Sequence, residues 1–144
     1  GYSAAALLLA FAFVEKKTTC HLLLLADTRD TFMETLHQLQ REFEAWLGTS
    51  CPFPTNIHFL DSTLSPSFGS TNRALFDFIK ETARTEGFFL DPIYSAKLFY
   101  QAKECLKADK EIAGTTLLVH SGGALSLSGF SALLKNSTKI YSMK

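Results

Sequence analysis

Three short, uninterrupted apolar runs constrain this chain more than any other feature. They are Thr19–Ala26 (TCHLLLLA), Ile57–Asp61 (IHFLD) and Thr115–His120 (TTLLVH). Each is too short for an ordinary helix and rich enough in large apolar side chains to read as a strand buried on both faces. The segments between them carry helical signals. Phe32, Leu36, Leu39, Phe43 and Trp46 recur at spacings of four and three, with Glu34, Gln38, Arg41 and Glu42 between them. That pattern predicts a helix over Arg29–Leu47 with one packed stripe, for which Asp27 or Thr28 can serve as the cap.

A further helix is expected from Ser70 or Thr71 through NRALFDFIKETARTE, closed by Gly87 as its C-cap. Another starts at Asp91, the N-cap, with Pro92 in the first helical position, and runs to about Lys107. A last helix is expected from Ala124 to about Leu134, after the SGG turn. Helices alternating with buried strands predict an α/β layered fold with a mainly parallel sheet. Without an internal repeat or linker, residues 1–144 read as one domain. Three strands would leave the edges of that sheet unprotected, so a missing partner is expected.

Apolar residues make up 47% of the chain and charged residues 19%, a globular balance. Lys plus Arg and Asp plus Glu number 14 each, so the net charge is zero. A neutral chain with no basic run beyond Lys16-Lys17 has no electrostatic footprint for nucleic acid or an anionic membrane. Cys20, Cys51 and Cys105 are odd in number and far apart, which suggests free thiols in a reducing, cytoplasmic setting. Neither they nor His21, His37, His58 and His120 show zinc-like spacing, so no metal site is expected.

The opening GYSAAALLLAFAFV is apolar from Ala4 to Val14, about half of the ~20 residues that a membrane helix needs. No positive region precedes it, as a signal peptide requires. It reads instead as a helix, Tyr2–Val14, buried on all sides.

The strongest chemical signal is LLVHSGG followed by a helix. Two glycines after a strand let backbone approach a ligand, and a helix N-terminus favours anionic or polar groups. A tight turn that simply needs glycine explains the same residues. The second signal is TEGFFLDPIYSAK, where Tyr94 and Ser95 fall in the first turn of a helix.

Together these segments carry a resemblance. Thr85-Glu86-Gly87, Asp91-Pro92-Ile93-Tyr94-Ser95-Ala96-Lys97 and His120-Ser121-Gly122-Gly123 resemble the TEG–DPxYxGK and HTGG motifs of one family of pyridoxal-phosphate enzymes. It is the family of 1-aminocyclopropane-1-carboxylate deaminase and D-cysteine desulfhydrase. The firm match spans Ala83 to Phe130. The resemblance implies a three-layer, tryptophan synthase β-like fold of type II, and pyridoxal 5'-phosphate as cofactor. It also implies a small amino acid as substrate and a cytoplasmic enzyme of amino-acid metabolism.

By the same resemblance, GYSAAALLLAFAF is similar to the end of the family's glycine-rich phosphate loop and the helix after it. Gly1 and Ser3 would then hold the phosphate. Tyr94 would line the substrate side as the catalytic residue, and Ser95, Ser121 and Gly122 would lie by the pyridine ring. The family's Schiff-base lysine lies upstream of its glycine loop, and no lysine here takes that role. The chain is therefore expected to be the C-terminal part of an enzyme about twice as long. Alone it should be inactive, associating with the missing N-terminal half or with itself.

Ser95 stands where the deaminases have Glu, which favours a desulfhydrase-like α,β-elimination yielding pyruvate, ammonia and sulfide. A deaminase, or a non-catalytic remnant used for binding or assembly, are the alternatives. Phe68 occupies the place of a family Tyr and lacks its hydroxyl, and Ala96 replaces the motif's Gly.

Overall fold

A computed structural model describes residues 1–65, 67–108 and 114–136. Their contacts divide the chain into two compact units, Gly1–Asp61 and Ser62–Lys144.

The first unit runs α1 (Tyr2–Phe13), β1 (Cys20–Leu23), α2 (Arg29–Leu47), β2 (Ile57–Leu60). The two strands pair in parallel, Cys20 opposite Ile57, His21 opposite His58, Leu22 opposite Phe59 and Leu23 opposite Leu60. Parallel neighbours need a long crossover, and α2 supplies it. Thr28 caps α2, its hydroxyl accepting the Thr31 N–H at 3.2 Å. Gly48 closes the helix in the left-handed conformation. Asp27, the other candidate cap, pairs instead with the Gly1 ammonium at 3.2 Å.

The core of this unit joins Ala5, Leu8 and Leu9 of α1 to Phe32 and Leu36 of α2 and to Cys51. Cys20, Leu22, Ile57 and Phe59 of the sheet pack against it. Two expectations change here. Only Ala5, Leu8 and Leu9 of α1 are buried, and the opposite stripe of Ser3, Ala6, Leu7, Ala10, Phe13 and Val14 is exposed. One neighbouring helix covers one face, so an all-round apolar helix keeps the other open. The strands are likewise not buried on both faces, because His21 and His58 are exposed. Trp46 ends the α2 stripe 80% exposed, past the reach of the core, with its ring against Phe43 at 6.5 Å.

The second unit runs α3 (Arg73–Glu86), α4 (Ser95–Ala108), a 3-10 helix (Ala124–Phe130) and α5 (Ser131–Asn136). Leu75, Phe76 and Ile79 of α3 form its core with Leu90 and Ala96, flanked by Phe99, Leu127 and Phe130. The N-cap of α3 is Asn72, whose side chain accepts the Leu75 N–H at 2.9 Å, rather than Ser70 or Thr71. Those two residues belong to the preceding loop, where Ser70 is bonded to Ser65 and Ser67. Gly87 closes α3 at φ 77°.

The third expected strand is absent. Residues 115–120 are irregular, with Leu117 79% exposed. A strand exists only with a ladder partner, and the described residues of this unit contain none. The expected single last helix is split, because the Ser-rich, Gly129-containing ALSLSGF favours the tighter 3-10 form before α5. Among the described residues no helix is long and apolar enough to cross a membrane, and Cys20, Cys51 and Cys105 are free thiols.

Candidate functional site

The second unit gathers both sequence motifs around one carboxylate, that of Asp91. Pro92 fixes the chain entering α4 and has no N–H to satisfy, so the Asp91 side chain meets the next three amides. Its Oδ1 accepts the N–H groups of Ile93 (2.9 Å) and Tyr94 (2.8 Å), and its Oδ2 accepts that of Ser95 (2.9 Å). The Ser95 hydroxyl donates to the same Oδ2 and accepts the Asp91 N–H at 2.7 Å. Burial alone would push the Asp91 carboxyl up. The hydrogen bonds from the Ser95 hydroxyl and the three amides outweigh it and hold the group below its usual range.

The SGG turn lies against this carboxylate. A Cβ placed on Gly123 would stand 2.8 Å from Asp91 Oδ2, and Gly123 also has φ 95°. Only glycine fits that contact and that backbone angle together. His120 anchors the turn. Its Nδ1 accepts the Gly122 N–H at 3.1 Å, which leaves the Nε2–H to donate to the Phe89 carbonyl at 3.0 Å. The imidazole meets Phe88 and Phe99 edge-on, and these three with Phe89 and Leu118 line an apolar recess of about 550 Å³.

Tyr94 is about half exposed, and its ring meets Phe68 at 5.7 Å. The loop carrying Phe68 is tied to α4 by Lys97. That side chain is fully buried and its ammonium donates to the Ser67 carbonyl at 2.7 Å. Burial lowers its pKa, and the nearby Asp91 charge opposes that shift in part.

The structure thus brings Tyr94, Ser95 and the Ser121–Gly123 turn to one end of α4. Ser95 is buried with its proton committed to Asp91, whereas Ser121 is exposed. Of the two, Ser121 is the hydroxyl available to donate to a ligand. Gly1 and Ser3 lie in the first unit at the start of α1, which has no side-chain cap. Unpaired amides at a helix start suit an anion, although the Asp27 carboxylate already stands beside Gly1.

Sequence reasoning took Asp91 for a simple cap and did not find its contact with Gly123, nor His120 as the anchor. The Asp-Pro start signalled the cap. No local signal reveals a contact between segments about thirty residues apart.

No family model matches the chain. It is 33% identical over 91 residues to the D-cysteine desulfhydrase of Yersinia pestis, covering 62% of this chain and 27% of that protein. It is 33% identical over 72 residues to the probable 1-aminocyclopropane-1-carboxylate deaminase of Schizosaccharomyces pombe, covering 49% of this chain and 21% of that one. A crystal structure described as an ACC deaminase homologue superposes with a TM-score of 0.72 at 20% identity, covering 92% of this chain and 40% of the other. The fold is therefore shared, and the chain spans about a quarter of the length of the curated relatives it matches.

Proposed function

We propose, from the premise that over the stretch these relatives match the chain belongs to the family of D-cysteine desulfhydrases and 1-aminocyclopropane-1-carboxylate deaminases, that it forms one wall of a pyridoxal-phosphate lyase site. The observation that carries this reading is the meeting of the DPIYSAK and HSGG segments around Asp91, with Gly123 seated where no side chain fits. The residues present suit the cofactor in two places. Within the first unit, the Gly1 ammonium (shared with Asp27) and the open amides at the start of α1, Ser3 among them, are donors of the kind a phosphate takes. Within the second, the Ser121 hydroxyl and Gly122 backbone offer a polar edge for a ring nitrogen. When bound, pyridoxal phosphate supplies an electron sink for breaking bonds at the substrate α-carbon.

In this reading Tyr94 orients the substrate, with Phe68 excluding water from one side of its ring. Ser121 donates to the pyridine nitrogen. Ser95 serves Asp91, and through Asp91 the seating of the turn, rather than the ring. A hydroxyl rather than a carboxylate near the ring nitrogen suits expulsion of a good leaving group such as a thiolate. The substrate is thus a small amino acid, D-cysteine in the leading case, with pyruvate, ammonia and sulfide as products. Lys97 is buried and hydrogen-bonded, so it presents no free amine.

The test is a pyridoxal-phosphate titration followed by absorbance, of the chain alone and with an N-terminal half from a D-cysteine desulfhydrase added, with pyruvate and sulfide release from D-cysteine measured in the complemented sample. Ser121→Ala is expected to weaken cofactor retention about tenfold, the worth of one hydrogen bond to the ligand. Ser95→Ala is expected to lower stability instead. Equal cofactor behaviour in wild type and Ser121→Ala would remove the assignment of that residue.

One observation favours a non-catalytic binding unit as a second reading. Phe68, where a hydroxyl would serve chemistry, makes only a ring contact with Tyr94 among the described residues. Cofactor binding without turnover, in the presence of a complementing N-terminal half, would support that reading.

A further inference from the structure

The sheet of the first unit turns Cys20, Leu22, Ile57 and Phe59 to the core. Side chains alternate along a strand, so His21 and His58 point to the other face. The parallel register sets them directly opposite each other. Both are exposed, and their ring centroids lie 5.2 Å apart with the planes inclined by 32°.

We propose that His21 and His58 form a two-imidazole binding site for a divalent transition metal of the zinc class. The spacing carries the argument. A zinc–nitrogen bond of ~2.0–2.1 Å, extended by the radius of the imidazole ring, puts the metal about 3.2 Å from each centroid. Two centroids 5.2 Å apart then subtend about 109° at the metal, the tetrahedral angle. The strand register and the present side-chain conformations thus set the two ring centroids at the separation of two imidazoles on one tetrahedral zinc. Rotation of the two exposed rings about their Cβ–Cγ bonds, which leaves the centroids nearly in place, aims their nitrogens at one point.

The donor set selects the ion. Neutral imidazoles suit zinc, nickel, copper and cobalt, whereas calcium and magnesium require oxygen ligands. No group of three or more His, Cys, Asp or Glu that could hold a metal occurs among the described residues. Two coordination positions therefore fall to water or to a ligand from another molecule. A metal here would clamp β1 to β2, so binding and the stability of the first unit are linked.

The experiment uses the full chain without a histidine tag, titrated with zinc while thermal unfolding is followed. Cobalt serves as a spectroscopic probe of tetrahedral geometry. Zinc at one hundred times its dissociation constant is expected to raise the folded-to-unfolded ratio about 100-fold. His21→Gln and His58→Gln are each expected to weaken binding by about tenfold or more, because either leaves a single imidazole. His37→Gln, whose ring stacks on Phe53 away from this pair, is expected to bind zinc as wild type does. The exposed positions of His21 and His58 keep the variants folded. Zinc binding unchanged in both variants, or no stabilisation up to about 1 mM zinc, would overturn the proposal. Neither result bears on the pyridoxal-phosphate reading, which involves neither histidine.

Discussion

At the scale of single residues, two glycines separate conformational from contact requirements. Gly87 and Gly123 both have positive φ, but a Cβ on Gly87 meets nothing within 4 Å while one on Gly123 strikes the Asp91 carboxylate. Gly87→Ala should cost about 1 kcal/mol, the left-handed penalty alone. Gly123→Ala should cost about 1–3 kcal/mol more, because the SGG turn must move off Asp91. Denaturant unfolding of both variants checks the difference. Asp91 itself carries a pH signature. Its carboxyl is lower in the folded chain than in the unfolded one, so its stabilisation is complete above about pH 4, the unfolded aspartate value. It is lost as the pH falls through the lowered native value. Asp91→Ala should therefore destabilise by about 1–3 kcal/mol at pH 7. The gap to wild type should narrow towards pH 2, read from unfolding curves at both pH values.

Elements show where periodicity was informative and where it was not. The spacing in α2 marked Phe32 and Leu36, which are buried, and the capping residues Thr28 and Gly48 fall where helix chemistry puts them. The α1 sequence has no polar face, so nothing local tells its buried side from its open one. Packing on α2 makes that choice. Leu8→Ala should cost about 2–5 kcal/mol as a buried deletion. Leu7→Ala, on the open stripe, should stay within about 0.5 kcal/mol. Thermal unfolding of the two variants measures the asymmetry. TTLLVH failed as a strand for a related reason. Apolar composition makes a segment fit for a sheet, but the ladder has to be supplied by another strand.

For the whole molecule, the exposed α1 stripe and the exposed Leu117, Val119 and Leu125 leave apolar surface of a kind that favours association. A net charge of zero does nothing to oppose it. Sedimentation at micromolar concentration should show species heavier than the 16.0 kDa chain, with Leu7→Lys and Val14→Lys shifting them towards monomer. A single monomeric boundary in the wild type would show that this surface stays open. The sequence by itself determined the places of α1 to α4 to within a few residues, the caps Thr28 and Gly87, the parallel strand pair and the DPIYSAK and HSGG segments, because each rests on residues close together in the chain. Only the tertiary structure decided which face of α1 is covered and that residues 115–120 form no strand. It also decided that Ser95 is bound to Asp91 while Ser121 is exposed, and that His21 stands beside His58. These depend on which distant segments meet, and a contact between distant segments leaves no period or spacing in the sequence to read.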